Sequence, residues 1–350
     1  MIIIFGILLF SVLIFVHELG HFVAAKLSGV QVNEFAIFMG PAIVKWQRGE
    51  TLYSIRTIPF GGYCAMEGED EDTDNDRSFQ KAAWWKRLCI LVAGAFMNFV
   101  AGILLMAIVF GPTKQITDPV IAEVQEGCTI VREDGLHLGD RILEVDGEKL
   151  ILANDFSMML TLNGGDVHDL VVERDGEKVI LEDFVMEKHL FGEEEAPRYG
   201  FSFDIKTLNF GEKVEYIWHS CLAVVRDVRL SLQMLLTGKA GVQDMMGPVG
   251  IVQVMSESTQ QVPKFVDKLR NLLYFGAFIS INLGVMNLLP IPAVDGGRVF
   301  GLLVTTAIET VTRKKVNPKV EGYIHTAGFL LLMALMVFIL FKDIFFIFKR

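Results

Sequence analysis

The chain has little of what most soluble functional classes need. Its four cysteines (Cys64, Cys89, Cys128, Cys221) are scattered with no CxxC pair, which argues against a thiolate metal site or a disulfide framework. Only 21 % of the residues are charged while 52 % are hydrophobic, with 27 phenylalanines and 15 methionines, a balance too apolar for an ordinary soluble domain. No basic segment precedes the first apolar run and no small-residue cleavage site follows it, so that run reads as part of the mature protein and not as a signal peptide. The net charge of −10 excludes little, because seven acids fall in the ten residues from Glu67 to Asp76, which read as a solvated loop. No nucleic-acid partner is expected, and nothing in the sequence says that Cys128 and Cys221 meet.

What the chain does have is long apolar runs. A helix needs roughly 20 apolar residues to cross the hydrocarbon core of a bilayer, and the stretches 2–25, 88–110, 272–289 and 324–341 approach that length. Lys and Arg near span ends favour the cytoplasmic side. Lys81, Lys86 and Arg87 precede the second span, and Arg298, Arg313, Lys314, Lys315 and Lys319 lie between the third and fourth. Both loops are therefore expected in the cytoplasm, with the segment from Gly111 to about Asn271 and both termini outside; Lys342, Lys349 and Arg350 argue weakly the other way.

The first span carries "HELGH" at residues 17–21. His17 and His21, four apart, share one helical face and can offer two imidazoles to one tetrahedral ion, with Glu18 beside them to take a proton from water. A charged side chain in a span costs about 2.5–3.5 kcal/mol on insertion scales, so such residues are usually kept for function, and coordination offsets that cost. Two histidines leave a catalytic zinc short of a ligand. The continuation after His21, "FVAAKLSGV", contains no third histidine; His137, His168, His189 and His219 fall in the outer segment, and His325 reads as an interfacial helix residue. The best candidate is Asp295 in "NLLPIPAVDGGRV", where Pro290 and Pro292 break the third span and Gly296 and Gly297 permit unusual backbone angles. An N-capping aspartate on a cytoplasmic helix is the alternative reading of that residue.

Residues from about 31 to 63 alternate apolar and polar around Gly49, with Tyr53, Ile55 and Thr57 on successive odd positions, which predicts a β-hairpin whose edge an extended peptide could join. A hairpin that only caps the bundle fits the periodicity equally. In 118–206, Asp146-Gly147, Gly164-Gly165 and Asp175-Gly176 mark turns between short strands, and "LHLGDRILEVDGEKL" resembles the strand and turn beside the peptide groove of a PDZ domain. In 207–270, Val214, Ile217, Trp218, Cys221, Val225, Val228, Leu232 and Leu235 recur at helical spacing, with Lys213, Glu215, Arg226, Asp227 and Arg229 between them.

Together, "HELGH" and "NLLPIPAVDGG" resemble the site-2 protease family of intramembrane zinc metalloproteases, in the RseP/RasP-like bacterial branch. "VNEFAIFMGP", "TLYSIRTIPFGGYCAMEGE", "AGAFMNF" and "GPVGI" extend the likeness along most of the chain, although Ala95 stands where the family usually has proline. The resemblance implies Zn2+ held by His17, His21 and Asp295, with Glu18 as general base, and assigns Asn98 and Asn287 to engaging the substrate helix. The expected fold is a polytopic α-helical membrane protein of about four transmembrane helices, with a membrane-associated β-hairpin and an inserted PDZ-like α+β domain. Residues 1–111 and 271–350 would form the two catalytic membrane parts. The expected location is a bacterial cell membrane, multi-pass, with the active site toward the cytoplasm and the PDZ-like domain outside. The expected partners are the bilayer, single-pass membrane protein substrates (anti-sigma factors or remnant signal peptides) trimmed beforehand of their outer domain, and a peptide ligand of the PDZ-like domain. Two rival readings are a membrane-anchored PDZ scaffold with a structural or inactive metal site, which has no use for Glu18, and a zinc transporter, which needs more acidic or histidine residues in its spans.

Overall fold

The computed structural model describes residues 2–69, 73–190, 197–241, 247–260, 262–313 and 318–349. The middle of the acidic run (Asp70, Glu71, Asp72) and the basic residues Lys314, Lys315 and Arg350 lie outside the described residues. Two compact units form: one from residues 1–109 with 224–350, the other from 110–223.

In the first unit, helix α1 (Ile2–Ser28) is followed by strands β1 (Val32–Arg48) and β2 (Thr51–Met66) and by helix α2 (Trp84–Phe110). After the second unit come α5 (Pro248–Gln260), α6 (Phe265–Leu288), α7 (Asp295–Thr312) and α8 (Pro318–Lys349). Four of these helices are long and apolar enough to cross a membrane: Phe5–Ser28, Trp84–Phe110, Phe265–Leu288 and Gly322–Asp343. The third starts earlier than its apolar run, because "FVDKLRN" adds two amphipathic turns ahead of Leu272. None of the apolar window of α8 is buried and most of its side chains are exposed, as suits a helix facing lipid. Near its end, buried Asp343 accepts a hydrogen bond from the Gly250 amide (3.1 Å), which ties α8 to the first turn of α5.

β1 and β2 pair antiparallel around the Arg48–Thr51 turn, but each doubles back on itself. Phe38, Gly40 and Gly61 have φ of 72°, 84° and 84°, left-handed values that bend both strands sharply. Phe35 consequently faces both Cys64 and Tyr53, and Tyr53 faces both Phe35 and Trp46. Four strand segments result, in the order 42–48, 51–58, 32–39, 61–66, and the two inner ones run in step, from Glu34 opposite Leu52 to Ile37 opposite Ile55. Ala25, Val30, Val32, Phe35, Cys64, Met66, Ile90, Leu91 and Leu302 form the core that joins this sheet to α1, α2 and α7.

The second unit is a sheet of six strands, β3 (Gln115–Val124), β4 (Arg141–Val145), β5 (Glu148–Lys149), β6 (Val167–Arg174), β7 (Glu177–Val185) and β8 (Phe201–Thr207), in the order β7-β6-β4-β3-β8 with β5 beside β4. Helix α3 (Phe156–Asn163) supplies Phe156, Met159 and Leu160 to its core. Both residues of Asp146-Gly147 and of Asp175-Gly176 have positive φ, the conformation of a two-residue hairpin turn. Cys128 and Cys221 are both free thiols. Helix α4 (Phe210–Leu236) departs from its expected stripe: Val214 and Trp218 are exposed, while Arg226, expected on the polar face, is buried with its guanidinium on Asp227.

Candidate metal centre

Three donors converge where α1 crosses α2 and meets the N-terminus of α7. His17 Nε2 and His21 Nε2 are 3.2 Å apart, and Asp295 Oδ2 lies 3.0 Å from the first and 3.2 Å from the second. Among the described residues this is the cluster that could hold a metal. Asp295 is the first residue of α7, after Val294 at the cap position, so its carboxylate does not cap the helix; it faces the two imidazoles.

The residues fit a zinc ion. Tetrahedral ligands at about 2.0–2.2 Å stand roughly 3.3–3.6 Å from one another, close to the separations found here. Asp295 Oδ2 is buried with no hydrogen bond of acceptable geometry to either histidine, despite the short distances. A carboxylate oxygen left without a partner beside two imidazole nitrogens fits three donors arranged around one ion. The His21 tautomer agrees: Nδ1 lies 2.8 Å from the Ile90 carbonyl, an oxygen that can only accept, so the proton sits on Nδ1 and Nε2 keeps its lone pair.

Glycines make the room. A Cβ on Gly94 of α2 would lie 2.4 Å from His21 Nε2 and 2.7 Å from His17 Cε1, and one on Gly20 would lie 2.4 Å from the Ala93 carbonyl oxygen. The two helices touch backbone to backbone at the imidazoles, as small residues allow between membrane helices. The DGG turn is equally tight, since a Cβ on Gly296 would meet the Leu289 carbonyl oxygen at 2.1 Å and one on Gly297 the Ile291 oxygen at 2.3 Å. Gly94 and Gly20 were not singled out from the sequence; the available signal was the glycine of "AGAFMNF" opposite "HELGH".

A cavity of about 690 Å3 opens onto the three donors, lined also by Glu18, by Tyr63 to Glu69 of β2 and the following turn, and by Arg298. Arg298 pairs with Glu69 across it. Burial, reinforced by Glu34, pushes the Tyr63 phenol up to about 12, so it stays a donor on the cavity wall.

The other expected residues fall elsewhere. Tyr53 and Ile55 lie on an inner strand segment, paired on one side with Phe35 and Ile37 and on the other with Trp46 and Val44, so their main chain is not an edge. Thr57 is exposed on that segment, outside the cavity lining. The segment beside the metal site is 61–66, whose Cα partners among the described residues lie on one side only, in β1. Asn98 is buried with its Nδ2 3.2 Å from His17 Nδ1, and Asn287 is half-buried in the last turn of α6.

Comparison with known proteins identifies relatives of the chain. The model of peptidase family M50 matches residues 5–335. A protein of Clostridium acetobutylicum, named as a proposed zinc metalloprotease, is 37 % identical over 98 % of this chain and 97 % of its own length. One of Clostridium perfringens with the same designation is 36 % identical over 99 % of each. The zinc metalloprotease RasP of Bacillus licheniformis is 27 % identical over 97 % of each.

Proposed function

The chain belongs to peptidase family M50 and is a membrane zinc metalloprotease, and from that premise we propose that His17, His21 and Asp295 hold the ion and that Glu18 is the general base. The observation that carries the assignment is the convergence of the three donor atoms on one point inside a membrane-spanning helix bundle.

Bound there, zinc supplies Lewis acidity toward a carbonyl and a water. This chain's own residues do the rest. Glu18, on the cavity wall one residue from His17, accepts the proton of the attacking water and returns it to the departing amine nitrogen. Asn98 orients His17. An imidazole that offers Nε2 to a cation carries its proton on Nδ1 and needs an acceptor there, and the Asn98 amide oxygen is buried without a partner. Turning that amide by half a revolution places its oxygen on His17 Nδ1.

The proposed substrate is a single-span membrane protein, such as an anti-sigma factor or a remnant signal peptide, cut within or near the bilayer after its outer domain has been removed. A helical peptide bond is already hydrogen-bonded, so the substrate must unwind, and an extended segment can then add to the 61–66 edge through main-chain hydrogen bonds. That edge lines the cavity next to Glu18 and replaces the 53–57 segment in this role. Asn287, beside the proline break, is kept as a candidate contact for the unwound segment. Residues 118–206 are read as a PDZ-like domain with a peptide ligand, and the setting as a bacterial cell membrane with the site toward the cytoplasm.

The test uses purified protein and a single-span substrate lacking its outer domain. Glu18→Gln is expected to keep its zinc and to lose cleavage by 10²-fold or more; equal cleavage by wild type and variant would overturn the base. Asp295→Ala is expected to lose bound zinc, and an unchanged stoichiometry would remove the third ligand.

A further inference from the structure

We propose that His325 of α8 is a positioning residue of the metal centre: its imidazole holds the backbone of Ala293 in the left-handed conformation from which the chain delivers Asp295. The proposal rests on the assignment of Asp295 as a ligand.

Ala293 has φ of 81°, a region that glycine enters freely and an L-residue with a Cβ does not. It stands two residues before Asp295, in the break between α6 and α7. Such a conformation persists only where the surroundings hold it. Downstream the chain has no slack, because Gly296 and Gly297 are pressed against the carbonyls of Leu289 and Ile291. From the other side, the Ala293 amide donates to His325 Nδ1 at 3.2 Å. One turn further along α8, a Cβ on Gly328 would lie 2.3 Å from Pro292 Cβ, so the backbone of α8 rests directly on the preceding residue of the same loop. Two consecutive loop residues, Pro292 and Ala293, are thus seated against one face of α8, and His325 supplies the hydrogen bond.

His325 is not a ligand in this arrangement. It acts through Ala293, with its Nδ1 as acceptor and its proton on Nε2. A residue that merely filled space between α7 and α8 would make the same apolar contacts without needing that nitrogen, and this difference makes the proposal testable.

The experiment uses the full chain in detergent, with zinc affinity read by chelator competition and ligand geometry by the absorption spectrum of the Co2+-substituted protein. His325→Ala is expected to weaken zinc binding about tenfold or more, to alter the Co2+ spectrum, and to lower kcat more than it raises KM. His325→Asn, whose side-chain oxygen can take the place of Nδ1, is expected to retain most of the affinity. Adding Ala293→Gly to His325→Ala is expected to restore it, because glycine adopts the left-handed backbone unaided. If His325→Ala does not fold, His325→Gln, with its acceptor near the Nε2 position, takes its place under the same expectations. Wild-type affinity and spectrum in His325→Ala (or in His325→Gln, where it is used), or a loss that neither His325→Asn nor Ala293→Gly repairs, overturns the proposal. Asp295→Ala separates the two failures: if it leaves zinc binding unchanged, the ligand assignment itself is wrong, whereas if it abolishes binding while His325→Ala keeps the wild-type affinity and Co2+ spectrum, only the role of His325 falls.

Discussion

Two imidazoles in a membrane helix need space as much as they need a metal, and Gly94 supplies it. With a Cβ 2.4 Å from His21 Nε2, Gly94→Ala forces the histidine off its position or α2 away from α1. Overpacking of this kind typically costs about 1–3 kcal/mol, and displacing an orienting contact costs about 10–100-fold in metal affinity. The expected outcome is a folded protein whose zinc affinity falls by that factor, measured by chelator competition; full affinity in Gly94→Ala would mean that α2 is free to shift. Sequence reasoning reached the ligands but not this glycine. His17 and His21 are legible because a spacing of four is a local property of a helix, and Asp295 because two prolines mark the break beside it. Gly94 and His325 matter only through contacts made across the bundle, 73 residues from His21 in the one case and 32 from Ala293 in the other, and no local pattern carries those.

The sheet shows the same division between local and non-local information. Its turn at Gly49 and its alternation are visible in the sequence. Its doubling back is not, because besides Gly40 and Gly61 the bend needs left-handed backbone at Phe38, a residue type that gives no warning of it. The consequence is functional, since doubling back converts the 53–57 segment into an inner one and leaves 61–66 as the edge at the cavity. The tip is held to the end of α1 by a charge cluster: Arg77 and Lys26 both donate to Glu50, and Arg77 first, then Lys26, pull its carboxyl down to about 2. A carboxyl depressed on folding contributes stability that is present above its unfolded pKa, 4.5, and is lost as pH falls through about 2. The groups are partly exposed, so the contribution is about 1 kcal/mol or less. Glu50→Gln is therefore expected to lower the unfolding midpoint slightly at pH 6, with the gap to wild type closing between pH 4.5 and 2. A gap that stays constant over that range would mean the cluster contributes nothing electrostatic.

At the scale of the whole molecule, the four spans and the distribution of basic residues decide which compartment the metal site meets. An even number of crossings returns both termini to one side of the membrane. Lys81, Lys86 and Arg87 flank the start of α2, and Arg298 and Arg313 lie on α7 and its C-terminal end, between the third and fourth crossings. In the orientation proposed above, in which Lys and Arg are retained on the cytoplasmic side, these two connections are expected there. The metal cavity is lined from the same connections, by Glu67 to Glu69, Thr73 and Arg298, so in that orientation water would reach Glu18 from the cytoplasmic face. The same proposed orientation predicts that the connection between α2 and α6 is exposed on the other side of the membrane. With the four native cysteines replaced by alanine, single cysteines at Lys178, exposed on β7, and at Asp76, fully exposed beside the cavity loop, report the two compartments. A membrane-impermeant maleimide applied to intact spheroplasts is expected to modify Lys178→Cys at once and Asp76→Cys only after the membrane is permeabilised. The reverse pattern would invert the protein and put the zinc site in contact with the outside, where the basic loops that frame it would have had to cross the bilayer.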